Sequence, residues 1–266
     1  MARPIVTLTT DFGHNDHFVG TIKGVILKLA PEAEIVDISH EVRAYDILDG
    51  AFTLAQSYRF FPPRTIHMVV VDPGVGTARR PIVAVGDVHY FVAPDNGVLS
   101  FMYAKETDVT VRHVTSEHYF LSPVSQTFQA RDVFAPITGW LARGVETHKF
   151  GDPITDFVRF APPKPKQINE KAVQGVVLKV DRFGNLITNL TPEDLPLMFQ
   201  ANPPAFKMVV GKAEVTKLNS NYAASPPNEV FIIVGSSGYL ELSTNRGSAS
   251  RLLQVDRGAP VGVMFA

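Results

Sequence analysis

Residues 65–80 read TIHMVVVDPGVGTARR, and this stretch decides how the first half of the chain folds. Thr65 to Val71 is dominated by β-branched residues, a composition that predicts a buried strand. Asp72-Pro73-Gly74 follows directly, and Pro and Gly both end a strand. The stretch therefore predicts a strand with polar residues at its carboxyl end, where open α/β sheets bind ligands.

The same alternation of strand and helix patterns extends on both sides of this stretch. Apolar runs predict strands, and apolar residues at helical spacing predict helices. The predicted strands are Pro4 to Thr9, Glu34 to Ile38, and a hairpin of Ile82 to Val85 with His89 to Ala93 around Gly86-Asp87; the predicted helices are Val19 to Leu29, Tyr45 to Phe60, Val98 to Ala104 and Val133 to Gly144. Strands that alternate with helices indicate an α/β domain, here residues 1–162, with a largely parallel sheet.

The character of the sequence changes at residues 161–170, which read APPKPKQINE. A Pro-rich, polar segment of this kind is typical of an interdomain linker. Residues 171–266 then contain little helical pattern and several strand-like runs. These runs are Val173 to Asp181, Lys207 to Val210, Val230 to Gly235 and Tyr239 to Leu242. We therefore expect a small, β-barrel-like C-terminal domain.

The composition excludes several classes of protein and site. The 266 residues carry a net charge of −1, which provides no basic surface for nucleic acid or anionic lipid. Cysteine is absent, so disulfides and thiolate metal sites are excluded. The eight His residues show no metal-ligand spacing, and we expect no bound metal. No apolar run approaches the ~20 residues of a membrane span, and no signal peptide is recognisable, so a cytoplasmic protein is expected.

Polar clusters follow several of the predicted strands or precede a helix. They are Thr9 to Gly13 with Asp16 beyond, Asp72 to Arg80, Ala93 to Gly97, Thr127 to Asp132, Phe183 to Asn185 and Gly235 to Tyr239. Taken singly, each has an ordinary structural explanation, such as a helix N-cap, a turn or an ion pair at a helix start. Gly74-Val75-Gly76 also lacks the third glycine of a dinucleotide-binding fingerprint. The patterns alone therefore indicate an α/β enzyme with a carboxylate-lined site.

Taken together, six of these segments resemble the S-adenosylmethionine hydroxide adenosyltransferase family, which is related to the fluorinases and chlorinases. The segments are TTDFG, DPGVGTARR, APDNG, TFQARDVFAP, FGN and GSSGYLEL, in that order along nearly the whole chain. The resemblance implies an α/β N-terminal domain followed by a small β-barrel domain. It also implies a homotrimer in which each active site lies between the N-terminal domain of one subunit and the C-terminal domain of its neighbour.

The resemblance further implies that S-adenosylmethionine is the substrate and that no cofactor is needed. A carboxylate offers two acceptors to a vicinal diol, and the matching residue for the ribose is Asp11. The other residues matched to substrate-binding roles are Asp16 at the methionine ammonium, Tyr45 at an aromatic wall, Phe183 and Asn185 at the adenine, Glu241 on the adenine side, and Ser236 at the methionine carboxylate.

The implied reaction is attack of water on the ribose 5′-carbon, which releases adenosine and methionine. An Asp-Arg-His set surrounds this water in the family, and Asp72 and Arg79 match its first two members. Gln129 stands where the family pattern F-H-G-R-D has His, and Gln can orient water but cannot titrate. Because Asp72 is kept, water is favoured over halide. Two alternatives stay open, a non-hydrolytic binder of adenosine or S-adenosylmethionine and a halide-using transferase.

Overall fold

The computed structural model describes residues 3–266, and these fold as two compact units that meet in sequence between Pro162 and Pro163. The strands of the first unit are β1 (Ile5–Thr10), β2 (Glu34–Ser39), β3 (Ile66–Val70), β4 (Pro81–Val85), β5 (Tyr90–Pro94), β6 (Thr110–His113) and β7 (Pro153–Ile154). Its α-helices are α1 (Phe18–Leu29), α2 (Ile47–Ser57), α3 (Ser100–Tyr103) and α4 (Ala135–Ala142), and a π-helical turn, Ala130–Phe134, leads into α4.

The sheet of the first unit is mixed, and the expected largely parallel sheet is corrected here. Its strand order is β2-β1-β3-β5-β4-β6-β7. The pairs β1–β2, β1–β3 and β3–β5 are parallel, whereas β4–β5, β4–β6 and β6–β7 are antiparallel. The predicted hairpin around Gly86-Asp87 is the reason, because a tight turn reverses the chain and the strands that follow keep the antiparallel arrangement.

Alternation of side chains along β3 divides the core of the first unit into two layers. Met68 and Val70 belong to one cluster with Ile22 and Ile26 of α1. Val69 belongs to a second cluster on the opposite face, together with residues of α2 and α3. Helices therefore cover both faces of the sheet, and the polar residues that follow β1 and β3 emerge at its edge.

The second unit is built on one curled, nine-stranded sheet. Its strands are β8 (Lys166–Asn169), β9 (Ala172–Val180), β10 (Leu186–Thr188), β11 (Phe206–Val210), β12 (Ala213–Val215), β13 (Leu218–Asn219), β14 (Val230–Val234), β15 (Leu240–Thr244) and β16 (Pro260–Phe265). The order is β12-β11-β16-β9-β10-β15-β14-β13, with β8 also paired to β9. A short helix, α5 (Ala249–Leu253), follows β15.

This sheet forms a half-barrel around an apolar core, which refines the expected barrel-like domain. Among residues 3–266, no hydrogen-bonded ladder joins β12 to β13 and closes the barrel. The segment 161–170 is also not irregular throughout, because Lys166–Asn169 forms β8. Within the same described range, no helix has the length and apolar character that crossing a bilayer requires.

Candidate active site

Asp72 and Arg79 form a bidentate ion pair just beyond the carboxyl end of β3. Arg79 Nε donates to Asp72 Oδ1 at 3.0 Å, and a terminal guanidinium nitrogen donates to Asp72 Oδ2. The two side chains are only 9% and 5% exposed, and the guanidinium lies 5.1 Å from the ring centroid of Phe134. A forked guanidinium fixes both carboxylate oxygens, so the orientation of Asp72 is set before any ligand binds.

The loop between these two residues is held by its own turns and by a neighbouring segment. Val75 N donates to the Asp72 carbonyl at 3.2 Å, and Thr77 Oγ1 donates to the Gly74 carbonyl at 2.7 Å. Gly76 has φ +79°, and a Cβ there would overlap the carbonyl oxygen of Gln126. The loop therefore needs glycine at this point, both for its conformation and for its close approach to the segment that carries Gln129.

Gln129 directly precedes the π-helical turn and is partly buried. Its neighbour Phe128 packs against Phe12 and Phe18, with ring centroids 6.3 Å and 5.1 Å apart. Together with the Gly76–Gln126 and Arg79–Phe134 contacts, this places the Gln129 segment against the loops that follow both β1 and β3. The sequence clusters around residues 11, 72 and 129 therefore lie together at one edge of the sheet.

The same segment is fixed by the buried carboxylate of Asp132. Arg131 Nε donates to Asp132 Oδ1 at 2.6 Å, and Ser125 N donates to Asp132 Oδ2 at 2.8 Å. Burial alone would raise the pKa of Asp132, but the Arg131 guanidinium and the Ser125 N–H outweigh it and the pKa is lowered. Asp132 thus holds the chain just before Gln129 as an ionised anchor.

Asp11 lies close to Asp72 because β1 and β3 are parallel neighbours, with Thr10 opposite Val70. Its Oδ2 accepts a hydrogen bond from the backbone N–H of Tyr45 at 2.8 Å. Burial raises the pKa of Asp11, the Tyr45 N–H opposes this, and the charge of Asp72 raises it further. Tyr45 itself has φ 65° and a side chain that is 76% exposed, so it contributes its backbone here and leaves its ring free.

Asp16 is exposed on the loop between β1 and α1. The start of this loop is anchored by the residue that follows β2: Gly13 N donates to the His40 carbonyl at 2.7 Å, and the rings of His14 and His40 lie 5.0 Å apart. The structure thus fixes the start of the loop and leaves the Asp16 carboxylate in solvent.

In the second unit, Phe183 and Asn185 occupy a tight turn between β9 and β10. Asp181 Oδ1 accepts from the N–H groups of Phe183 at 2.9 Å and Asn185 at 2.8 Å, and Asp181 Oδ2 accepts from Asn185 Nδ2 at 2.8 Å. Gly184 has φ +84° and packs against Ser248 so closely that a Cβ would overlap it. The turn therefore exposes the Phe183 ring, 75% accessible, and buries the Asn185 amide.

Glu241 of β15 belongs to the same polar cluster as Asp181 and Asn185. Its side chain is buried, and Tyr222 Oη donates to Glu241 Oε2 at 3.4 Å. Burial raises the pKa of Glu241, the nearby Asp181 carboxylate adds to this, and the Tyr222 hydroxyl partly offsets it. Ser236 is exposed in the β14–β15 turn, which a Gly235 N–H bond to the Tyr239 carbonyl closes at 2.9 Å.

Two residues of this cluster, Asp181 and Tyr222, are absent from the sequence-based set. Asp181 carries a recognisable signal, because an Asp that caps the backbone two residues ahead is an ordinary Asx turn. Tyr222 carries none, since 19 residues separate it from Glu241 and it lies in a 3-10 turn between β13 and β14 that only the tertiary fold brings to Glu241. Among the described residues 3–266, no three His, Asp or Glu side chains are grouped so that they could hold a metal ion.

Known proteins match this arrangement along the whole chain. A model of the SAM hydroxide adenosyltransferase N-terminal domain matches residues 6–151, and a model of the corresponding C-terminal domain matches residues 175–262. The chain belongs to the SAM hydroxide adenosyltransferase family. The resemblance of the six sequence segments is thereby confirmed, and the two SAM hydroxide adenosyltransferase models fall one on each structural unit.

Individual relatives agree with this assignment. The chain is 32% identical over 260 residues to a protein named (R)-S-adenosyl-L-methionine hydrolase from Methanocaldococcus jannaschii, covering 95% of this chain and 92% of the relative. It is 34% identical over 262 residues to a protein of the same name from Salinispora arenicola, covering 96% and 95%. A solved structure of an uncharacterized conserved protein from Thermotoga maritima has a TM-score of 0.90 and 34% identity, covering 98% and 99%. The SAM hydroxide adenosyltransferase fold thus extends over the chain as a whole.

Proposed function

We propose that this protein is an enzyme that hydrolyses S-adenosylmethionine to adenosine and methionine, by attack of water on the ribose 5′-carbon. The observation that carries the proposal is the bidentate Asp72–Arg79 pair beside Asp11, at the carboxyl edge of β1 and β3. It occurs in a chain that matches two proteins named as hydrolases of this substrate over more than nine-tenths of its length.

The chemistry requires positioning more than acid catalysis. The bond from water oxygen to C5′ forms while the bond from C5′ to sulfur breaks, and sulfur takes the electron pair and leaves as a neutral thioether. The leaving group therefore needs no proton. Asp72 orients the attacking water and accepts its proton, which then passes to solvent, and Arg79 keeps the carboxylate in place. No cofactor enters this scheme.

The roles of the first-unit binding residues follow from their surroundings. Asp11 accepts the two ribose hydroxyls, because its fixed carboxylate offers one acceptor to each. The exposed Asp16 carboxylate attracts the methionine ammonium, and the free Tyr45 ring forms an aromatic wall.

The second-unit residues recognise the purine and the methionine carboxylate. The exposed Phe183 ring is available for stacking on adenine, and Asn185 and Glu241 supply polar groups for the purine edge. Ser236, on its exposed turn, donates to the methionine carboxylate.

We also propose a homotrimer, with each site shared between subunits, as the family resemblance implies. Mixing Asp72→Ala subunits with Asn185→Ala subunits tests this directly. Shared sites predict partial recovery of activity in the mixed trimers, whereas self-contained sites predict none. We also expect a cytoplasmic protein, and the net charge of −1 provides no basic surface that would favour nucleic acid or anionic lipid as partners.

The function is tested by incubating the purified protein with each sulfonium epimer of S-adenosylmethionine separately, since the names of the relatives specify the (R) form. Adenosine and methionine released in equal amounts support hydrolysis. The same reaction with added chloride or fluoride tests the alternative of a halide-using transferase, which predicts 5′-halo-adenosine.

A second candidate, a non-hydrolytic binder of adenosine or S-adenosylmethionine, is favoured by one observation. Gln129 occupies the position of the family His and cannot take up a proton at neutral pH. Substrate binding measured by calorimetry without any release of adenosine would decide for the binder and against hydrolysis.

A further inference from the structure

The segment Ala93 to Gly97 recurs among the sequence motifs, yet none of its residues has a role in the proposed reaction. It comprises the last two residues of β5 and the turn after them, and β5 lies next to β3 in the sheet. Its two polar side chains, Asp95 and Asn96, turn towards the loop that carries Asp72 and Arg79 and contact the residues at both ends of it.

Asn96 holds the start of that loop. Its Nδ2 donates to the carbonyl oxygen of Val71 at 2.9 Å, and its Oδ1 accepts from Val98 N at 3.1 Å. Val71 directly precedes Asp72, so the Asn96 side-chain amide fixes the peptide group that joins Val71 to Asp72. An amide is suited to this task, because one side chain supplies both the donor and the acceptor.

Asp95 holds the end of the loop. Its backbone N–H donates to the Arg80 carbonyl at 2.8 Å, and its Oδ2 accepts from Arg80 Nε at 2.9 Å. Its Oδ1 accepts from Val158 N at 2.7 Å, and the carboxylate is only 2% exposed. Arg80 directly follows Arg79, so this buried pair fixes the chain next to the catalytic guanidinium.

We infer that Asp95 and Asn96 are positioning residues that clamp both ends of the 72–79 loop and hold Asp72 and Arg79 in register for the attacking water. The inference deepens the proposed hydrolysis and rests on it. Catalysis that depends on an in-line water is sensitive to small displacements, since about 1 Å of misplacement costs on the order of 10²-fold in rate.

Arg80 offers a matched control for this inference. Its guanidinium also donates to Asp156 Oδ1 at 2.9 Å, but the Asp156 side chain is 76% exposed, whereas that of Asp95 is 2% exposed. Asp95→Asn and Asp156→Asn therefore remove one charge each from the same arginine. Because only the Asp95 carboxylate is buried and also binds Val158 N, we expect the first change to loosen the loop and the second to leave it in place.

The first measurement is hydrogen exchange of the peptide spanning residues 71–80, followed by mass spectrometry, and it requires no activity. We expect Asp95→Asn to speed exchange of this peptide at least fivefold, with Asp156→Asn unchanged. Asn96→Ala provides a second variant in case Asp95→Asn does not fold. Equal exchange in the Asp95 and Asp156 variants would overturn the clamp.

The second measurement is turnover of S-adenosylmethionine. We expect Asp95→Asn to lower kcat tenfold or more while KM stays within threefold, and Asp156→Asn to change neither. In an Asp72→Asn background, adding Asp95→Asn should lower kcat by less than a further threefold, because the carboxylate that Asp95 positions is already lost. A full multiplicative loss there would contradict the positioning role. If the wild type releases no adenosine, the proposed hydrolysis fails, and the exchange measurement alone decides the clamp.

Discussion

Three carboxylates near the candidate catalytic pair and two in the polar cluster of the second unit are balanced by different kinds of partner. In the first unit, Asp72, Asp95 and Asp132 each bind an arginine directly. In the second unit, Asp181 accepts from two backbone N–H groups and an amide, and Glu241 accepts from a hydroxyl. The first arrangement keeps oriented negative charge beside the candidate catalytic pair, whereas the second supplies hydrogen bonds without a guanidinium.

We propose that this difference separates chemistry from recognition. Charge-assisted, bidentate pairs are the stronger and more directional hydrogen bonds, which suits the orientation of a nucleophilic water. Burial and the nearby Asp181 carboxylate both raise the pKa of Glu241, so its ionised form is disfavoured relative to that of an exposed glutamate. Removing the charge should therefore be costly at the buried, arginine-bound carboxylates of the first unit and mild at Glu241.

The largest effect is expected from removing the charge of Asp72. Asp72→Asn keeps the shape of the side chain but removes the proton acceptor, so turnover should fall by about 10²-fold or more with KM nearly unchanged. Steady-state kinetics of Asp72→Asn, Arg79→Ala and the double variant measure this.

Because Asp72 and Arg79 act together as one ion pair, the loss of turnover in the double variant should be close to that of Asp72→Asn alone. Multiplicative losses would mean that the two residues do not act on one water molecule. Asp156→Asn, which removes an exposed carboxylate from the first structural unit, is the control and should leave kcat unchanged.

A smaller effect is expected at Asp11, whose proposed role is to bind the ribose hydroxyls. Asp11→Ala should weaken adenosine binding by about 1.5–3 kcal/mol, the range for hydrogen bonds to a charged group. Calorimetric titration of adenosine into wild type and variant measures the difference. The wild type should also bind 2′-deoxyadenosine more weakly than adenosine, and equal affinity for the two would remove Asp11 from the ribose site.

The sequence predicted features that depend on local chemistry. The β4–β5 hairpin and the span of α1 both follow from residues close together in the chain, whereas the pairing of Asp72 with Arg79 was implied by the family resemblance. The mixed sheet was not predicted, because strand order and direction depend on long-range pairing. The hydrogen bond from Tyr45 N to Asp11 was also missed, since it requires φ 65° at a tyrosine, a conformation that the residue type does not signal.

Gln129 is a neutral side chain among the charged groups of the first unit. We expect slow hydrolysis by the wild type and a pH–rate profile without a step near the unperturbed histidine pKa of ~6.5. Gln129→His should raise the rate several-fold and introduce such a step. Kinetics of both proteins between pH 5 and pH 9 test this, and an unchanged rate and profile would show that residue 129 does not face the water.

The smallest effect is expected from Glu241→Gln, which removes a carboxyl whose pKa is raised in the folded state. Such a group contributes stability that is fully present below its ordinary pKa of ~4.3 and is lost as the pH rises through the folded value. The Gln variant should therefore be more stable than the wild type at pH 8 and should lose this advantage near pH 4.

Thermal unfolding of both proteins at the two pH values gives the comparison. Glu214→Gln, which removes the exposed partner of Lys207, is the matched control and should show no such pH-dependent gain. A Glu241→Gln protein that is less stable than the wild type at pH 8 would mean that the charge of Glu241 is needed, and the contrast between the two units would fail.

The reaction in water labelled with oxygen-18 follows the attacking atom itself, and so it tests hydrolysis at the 5′-carbon. Adenosine isolated from S-adenosylmethionine and the wild-type protein should carry one labelled oxygen at the 5′ position, with unlabelled methionine in equal amount. Asp72→Asn should form this product about 10²-fold more slowly. Adenosine without the label, or no adenosine from a protein that binds the substrate, would contradict hydrolysis at the 5′-carbon.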